Sequence, residues 1–380
     1  YLSYGDATDD CNWSTSQVLT KAIWNCDDLT IASGVIITFD LTQVTSVVQL
    51  RVQGSVNIAG RIDVSATATN PGPGGTAGGD CDTGGIICTL QDGVGSTGGE
   101  GKGGQTGDDL GANLAADGGG GGGAGFSVVG EAGDAGANVG GGTNGAGGAA
   151  GAQFVSALSL NTTLQAGVGG GAGGSGDTGF AIGDGGDGGN GSGSLVIVSK
   201  GDISLAATAE LWAKGRIGQD GTSNVVEGGN GGGGSGGAIY LVTAGTLTST
   251  TASVDISGGA TNTNGAGSKG GKGSDGLFRV DTESGTFTGS FNITSPDGIT
   301  TASFTTPDGI LDPLDVATTS GSVDLESDIS PSCTYRVNGQ ISYRFLTSLI
   351  FGFLMAFLLF QFYKYTWNFI VSNRFGVTKS

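Results

Sequence analysis

Between residues 29 and 66, apolar and polar residues alternate with the two-residue period of β-strands. The segments 29–41 (LTIASGVIITFDL) and 47–66 (VVQLRVQGSVNIAGRIDVSA) are rich in Val, Ile and Thr, which suit a pleated, half-buried surface. Val52, Val56, Ile58, Ile62 and Val64 mark the buried faces, and Gly54 and Gly60 are turn points. Strand patterns return at 154–164, 194–205, 238–247 and 254–256. A polar β-rich stretch then runs from 277 to about 328 (FRVDT, TFTGSFNIT, ASFTT), and 329–343 reads as a stalk.

Three of these stretches are loosely alike: LRVQGSVNIAGRIDVSA (50–66), LVIVSKGDISLAATAELWAKG (195–215) and IYLVTAGTLTSTTASVDISGG (239–259). Each reads strand, Gly turn, strand, spacer, strand, then a Gly-rich excursion, with turns at Gly54, Gly201 and Gly245. Three short strands with turns make one coil of a parallel β-helix, which buries an aliphatic ladder by stacking on the next coil. The repeat is irregular, 147 residues and then 44, so the Gly-rich stretches are expected as insertions in a mainly-β solenoid. A β-sandwich with long loops is the alternative. The expected organisation is a β-rich cap with the first solenoid strands (1–66), a Gly-rich insertion (67–152) and further solenoid with Gly-rich excursions (153–280). A β-rich segment and stalk (281–343) and a membrane helix with a short basic tail (344–380) complete it.

Composition sharpens this picture. Glycine supplies 81 of 380 residues, against roughly 7% in ordinary proteins. A collagen triple helix fails, because the chain has only 6 Pro and irregular Gly spacing. A disordered linker is the simplest use of such Gly. Yet Ala, Asp, Asn and occasional Phe, Val and Ile punctuate the glycines, and the segments keep returning to strands. That favours an ordered bundle of extended three-residue-per-turn helices of the polyglycine II kind. Ordering glycine costs more entropy than ordering any other residue, so nearly every backbone group must then be hydrogen-bonded.

One segment stands apart. Residues 345–363 (FLTSLIFGFLMAFLLFQFY) carry no formal charge over 19 residues, and Arg344 and Lys364 bound them. At about 1.5 Å per residue the span is roughly the hydrocarbon thickness of a bilayer. Tyr343, Tyr363, Tyr365 and Trp367 supply interfacial aromatics. Residues 1–335 hold 10 Lys/Arg against 34 Asp/Glu, whereas 336–380 hold 5 Lys/Arg and no acid. The expectation is a single-pass protein with its N-terminal ectodomain in the periplasm, outside the cell or on a virion surface. The chain starts at Tyr1, which suggests that a signal peptide has been removed. Gly352 and Ala356 make a small-xxx-small pair, and Gln361, Lys364 and Asn368 share a helix face. These five residues are the candidate membrane-helix interface, for self-association or for another membrane protein.

Cys11/Cys26 and Cys81/Cys88 are near pairs in turn-prone sequence and are expected disulfides in an oxidising compartment. Cys333 is left over, either free or bridging two subunits. There is no His, so a Ser/His/Asp triad and His metal ligation are excluded. The net charge of −19 disfavours a nucleic-acid partner. GGKGSDGLF (270–278) fits the calcium nonapeptide pattern, with Asp275 as candidate ligand and GGDGGNGSG (185–193) a poorer match carrying Asn190. True calcium rolls repeat that motif in tandem, so no cofactor is expected, with calcium at Asp275 the alternative. Asp80, Asp82, Asp108, Asp109, Asp184 and Asp187 are expected to keep the Gly-rich surface soluble. A carboxylate-pair glycosidase is formally open. Trp212 lies in an apolar run and is expected to pack in the core.

The strand-turn units with Gly-rich excursions (SVNIAGRIDVSA, GGGGSGGAIYLVTAGTL, VDISGG) resemble Gly-rich β-helical surface and envelope proteins of bacteria. That resemblance implies a structural or adhesive role and no reaction. The overall plan of β-rich head, Gly-rich segments, C-terminal anchor and basic tail is similar to the minor attachment protein of filamentous phages. It implies recognition of a host receptor. The expected function is therefore a non-enzymatic, membrane-anchored structural, scaffolding or adhesive protein, either a homo-oligomer or a subunit of a membrane complex. The expected partners are the lipid bilayer, other subunits, and a surface receptor or glycan. A virion attachment protein is the first alternative, and a calcium β-roll or β-helix glycosidase the second.

Overall fold

A computed structural model describes residues 3–81, 92–94, 98–108, 114–137, 141–155, 165–178, 182–222, 226–262, 267–282 and 287–294. They contain no α-helix, and hence none long and apolar enough to cross a membrane. Fourteen strands join one sheet in which every pairing is parallel. A separate two-residue pair, β8 (Gly176–Asp177) with β9 (Ile182–Gly183), is antiparallel. Parallel pairing throughout the large sheet removes the antiparallel sandwich from consideration.

The pairings fall into three ladders. The first runs β3 (Ile23–Ile31), β5 (Val48–Val52), β10 (Leu195–Ser199), β13 (Ala238–Thr243), β15 (Leu277–Thr282). The second runs from the far half of β3 through β6 (Val56–Ile58), β11 (Ile203–Leu205) and β14 (Leu247–Asp255) to β16 (Phe287–Thr294). The third runs β2 (Gln17–Leu19), β4 (Ile36–Phe39), β7 (Arg61–Asp63), β12 (Glu210–Trp212) and the far half of β14. β1 (Asp9–Trp13) lies on β3.

Each ladder stacks like on like. Val48, Leu195, Ile239 and Phe278 are register partners, as are Leu50, Ile197, Leu241 and Val280. Ile37, Ile62, Leu211, Val254 and Ile293 form the matching column of the third ladder. These columns meet in one main core, and the expected core positions Val52, Val56, Ile58, Ile62 and Val64 are all buried there. The three similar sequence stretches pair in succession, 50–66 with 195–215 and 195–215 with 239–259, and in the first two ladders they join at the offsets of 147 and 44 that align them. Their turns also stack: the N–H of Gly201 donates to the carbonyl of Gly54 at 2.9 Å. At the Gly54 and Gly245 turns a carboxylate caps the next strand. Asp28 accepts from Ser55 N at 2.6 Å, and Asp202 from Thr246 N at 2.7 Å. A Cβ on Gly54 or Gly245 would sit 2.3 or 2.4 Å from those carboxylate oxygens.

Two expectations are corrected. Residues 154 and 155 are not strand; Phe154 packs edge-on against Phe126 at 5.2 Å, beside Val155, Ala238 and Leu277. The rest of the expected 154–164 strand lies outside the described residues. Trp212 is not in the core. Leu211 takes the inward position of β12, and strict alternation turns Trp212 out. Its ring is only half-buried, with Arg61 and Lys214 each 3.5 Å from its centroid.

Cys11 on β1 and Cys26 on β3 form the expected disulfide, with Cα atoms 5.6 Å apart, and tie the first rung to the second. Closing a 15-residue separation contributes roughly 3 kcal/mol. Cys11→Ser/Cys26→Ser is expected to lower unfolding stability by about that amount, measured as the shift in urea midpoint. An unchanged midpoint would show that this end of the sheet holds without the bond.

Candidate functional surface

The glycine-rich segments between the rungs are ordered against one another by backbone hydrogen bonds. Residues 117–125 show the rule. The N–H groups of Gly118, Gly121 and Ala124 donate to the carbonyls of Glu227, Asn230 and Gly233. Those of Gly119, Gly122 and Gly125 donate to Gln105, Lys102 and Gly99, and those of Gly120 and Gly123 to Asp134 and Glu131. Carbonyls radiate likewise. Gly119 and Gly122 accept from Gly174 and Gly171; Gly120 and Gly123 accept from Gly148 and Gly151; Gly121 and Ala124 accept from Gly271 and Ser274. Every partner series steps by three residues, so a single segment is surrounded by six others, some parallel to it and some antiparallel.

Glycine is required here by the close approach. A Cβ on Gly118 or Gly121 would meet the carbonyl oxygens of Gly174 or Gly171 at 1.9 and 2.1 Å. On Gly119 or Gly122 it would meet Ala146 or Ala149 at 2.1 and 2.0 Å, and on Gly120 or Gly123 Lys269 or Lys272 at 1.9 Å. The run of six glycines therefore has no side on which a side chain fits. Segments at the rim have one free side, and residues larger than glycine recur on it every third position. Ala146, Ala149 and Ala152 form one exposed row, Glu131, Asp134 and Ala137 a second, and Arg216, Gln219 and Thr222 a third.

The residues singled out from sequence take definite places on this framework. Asp275 is fully buried; its carboxylate accepts the N–H of Gly258 at 2.9 Å and lies 3.7 Å from Lys272 Nζ. Asn190 behaves alike, accepting from Gly78 N at 3.0 Å and donating to Thr67 O at 3.1 Å. Both side chains thus brace a glycine segment against its neighbour. Asp187 accepts from Cys81 N at 2.7 Å and from Gln219 Nε2 at 3.0 Å. Among the described residues no group of three or more Cys, Asp or Glu is placed to hold a metal ion. Cys81 is buried and disulfide-bonded. Cys88, Cys333, Asp82, Asp109 and the membrane-helix residues Gly352, Ala356, Gln361, Lys364 and Asn368 lie outside the described residues.

Two ionic features escaped the sequence reading. Arg279 and Asp281 of β15 are buried and joined, Nε to Oδ1 at 3.0 Å, and Asp281 also accepts the hydroxyl of Tyr240 on β13. Burial, reinforced by that carboxylate, pushes the Tyr240 phenol far above its ordinary range. The signal in the sequence is an Arg and an Asp two apart on a strand, hence on one face. The second feature is Glu227, whose N–H donates to Asp117 Oδ1 at 3.2 Å. Partial burial, and then repulsion from Asp117, raise the Glu227 pKa.

What this arrangement does physically is hold a stiff body together through main-chain bonds and present short, regularly spaced side chains. Gly121→Ala is expected to cost about 3 kcal/mol, because backbone rather than a movable side chain opposes the new methyl. Ala146→Ser, on an exposed row, is expected to cost under about 0.5 kcal/mol; thermal melts of both variants decide it. A raised folded pKa means that Glu227 disfavours the native state once ionised. Glu227→Gln should therefore stabilise by up to about 1 kcal/mol at pH 7, with the gain vanishing as pH falls below the ordinary Glu range. A gain that persists at low pH would contradict that account. Comparison with known proteins finds no matching family model, no similar curated protein and no similar solved structure.

Proposed function

We propose that the chain is a non-enzymatic, single-pass surface or envelope protein whose ectodomain is a rigid β-solenoid carrying a polyglycine-II-like bundle. Its role is structural or adhesive. The observation that carries the reading is the segment 117–125, hydrogen-bonded on all sides to six neighbours. A linker needs no such saturation. The three parallel ladders with in-register aliphatic columns support the solenoid. The three-residue period of the bonds supports extended helices with three residues per turn.

Several features fit an extracytoplasmic surface. The Cys11–Cys26 bond suits an oxidising compartment, and the acidic, His-free body suits a non-catalytic exposed face. The uncharged segment 345–363 supplies the anchor, and Gly352, Ala356, Gln361, Lys364 and Asn368 its association face, giving a homo-oligomer or a complex with other membrane subunits.

Expression of the full chain in cells, followed by alkaline extraction and protease treatment of intact cells or spheroplasts, tests the reading. The chain should stay with the membrane, and external protease should reach only the region before residue 345. Release by alkali, or protection of the N-terminal region, would overturn the anchored topology.

A further inference from the structure

A cleft of about 500 Å3 opens on the glycine bundle where the segments 188–190 and 216–220 run side by side. Its floor is glycine backbone, from Gly188, Gly189 and Gly218, with the buried amides of Asn190 and Asn262. Ala68 and Ile217 make an apolar wall, and Arg216, Gln219 and Asp220 stand on the exposed rim.

Three observations turn this cleft into a candidate binding site. First, among the described residues the guanidinium of Arg216 has no hydrogen-bond or ion-pair partner, in a chain with 34 Asp/Glu and 15 Lys/Arg. The other rim charge, Asp220, likewise has no partner among the described residues. Lys102, Lys214 and Lys272 of the same bundle and its flank are all paired with carboxylates. Second, the rim is pre-set. Arg216 N donates to Asn190 O at 2.9 Å while its carbonyl accepts from Gly234 at 2.8 Å. Gln219 N donates to Asp187 O at 2.7 Å while its carbonyl accepts from Gly231 at 2.9 Å. The backbone beneath the rim is thus fixed before a ligand arrives, and only side-chain rotamers remain to be ordered on binding. Third, Gln219 Nε2 is engaged with Asp187 at 3.0 Å, which leaves Oε1 as an acceptor on the same cleft that Asp220 lines.

The geometry points to a saccharide-binding cleft selective for an acidic sugar, a uronic acid unit. The planar guanidinium of Arg216 matches a carboxylate through two parallel hydrogen bonds. Asp220 and Gln219 Oε1 accept from sugar hydroxyls, and Ile217 and Ala68 cover the ring's apolar C–H face. The volume lies within the range of small-molecule sites. The inference rests on the adhesive part of the function proposed above and supplies its ligand class. It is independent of the membrane anchor, since binding is measured on detergent-solubilised full chain.

Titration calorimetry of that chain with D-glucuronate, D-glucose and acetate as probes tests it. Glucuronate is expected to bind at least about tenfold more tightly than either glucose or acetate, one unit of specificity from the carboxylate and another from the ring. Arg216→Gln should abolish the preference for glucuronate over glucose, and Asp220→Asn should weaken both sugars. Both side chains are exposed, so unchanged thermal midpoints are expected and report intact folding. Equal binding of glucuronate by wild type and Arg216→Gln would overturn the proposal. Acetate binding as tightly as glucuronate, or no heat with any probe, would overturn it too. Such results would leave the anchored topology standing, whereas alkaline release with intact sugar binding would strike only the anchor.

Discussion

A bare peptide backbone must place every N–H and every C=O on a partner, and this one requirement organises the protein beyond its sheet. Each unmade bond in a buried segment costs about 1–3 kcal/mol, while each made bond returns about 1. Partial packing of glycine segments is therefore worse than none. The residues around Gly121 resolve the problem by sending successive groups to three pairs of neighbours in turn. The same geometry that satisfies the bonds brings carbonyl oxygens to 1.9–2.1 Å from where a Cβ would be. Saturation and the absence of side chains are one condition, not two.

The sheet makes that condition affordable. Each glycine excursion leaves one rung and returns to the next, so strand pairing fixes its ends. Leu277 N donates to Gly237 O at 3.0 Å, and Val48 N to Ser194 O at 3.0 Å, where strand and glycine segment meet. Side chains at these junctions finish the joint: Ser194 Oγ accepts from Ala238 N at 2.7 Å, and Asp275 accepts from Gly258 N. The aliphatic columns supply the favourable burial, and the closed ends reduce the loop entropy that the glycines would otherwise hold.

The function proposed for this architecture is mechanical and presentational. A body held by main-chain bonds is stiff without a large apolar core, and its exposed rows carry whatever small or charged residues fall every third position. Arg216 and Gln219 show how such a row acquires chemistry, since the framework sets their backbones before any ligand arrives.

Much of this was legible in the chain. Alternation in 47–66 identified the inward Val and Ile positions, and the three similar stretches identified which strands stack, because like residues share a column only when the rungs are in register. Cys11 and Cys26 were recognisable as a pair. Trp212 was misread because an apolar run does not reveal which of two alternating faces points inward. Phe154 was misread because a β-like composition says nothing of the phenyl ring it meets. The Arg279–Asp281–Tyr240 contact depends on β13 and β15 being neighbours, which no local pattern states. By itself the sequence determined the repeated strands of the three similar stretches and the order in which they stack. The tertiary structure alone decided which glycine segment bonds to which, because a segment without side chains carries no label for its partner. Its neighbours are chosen by the rungs at its ends.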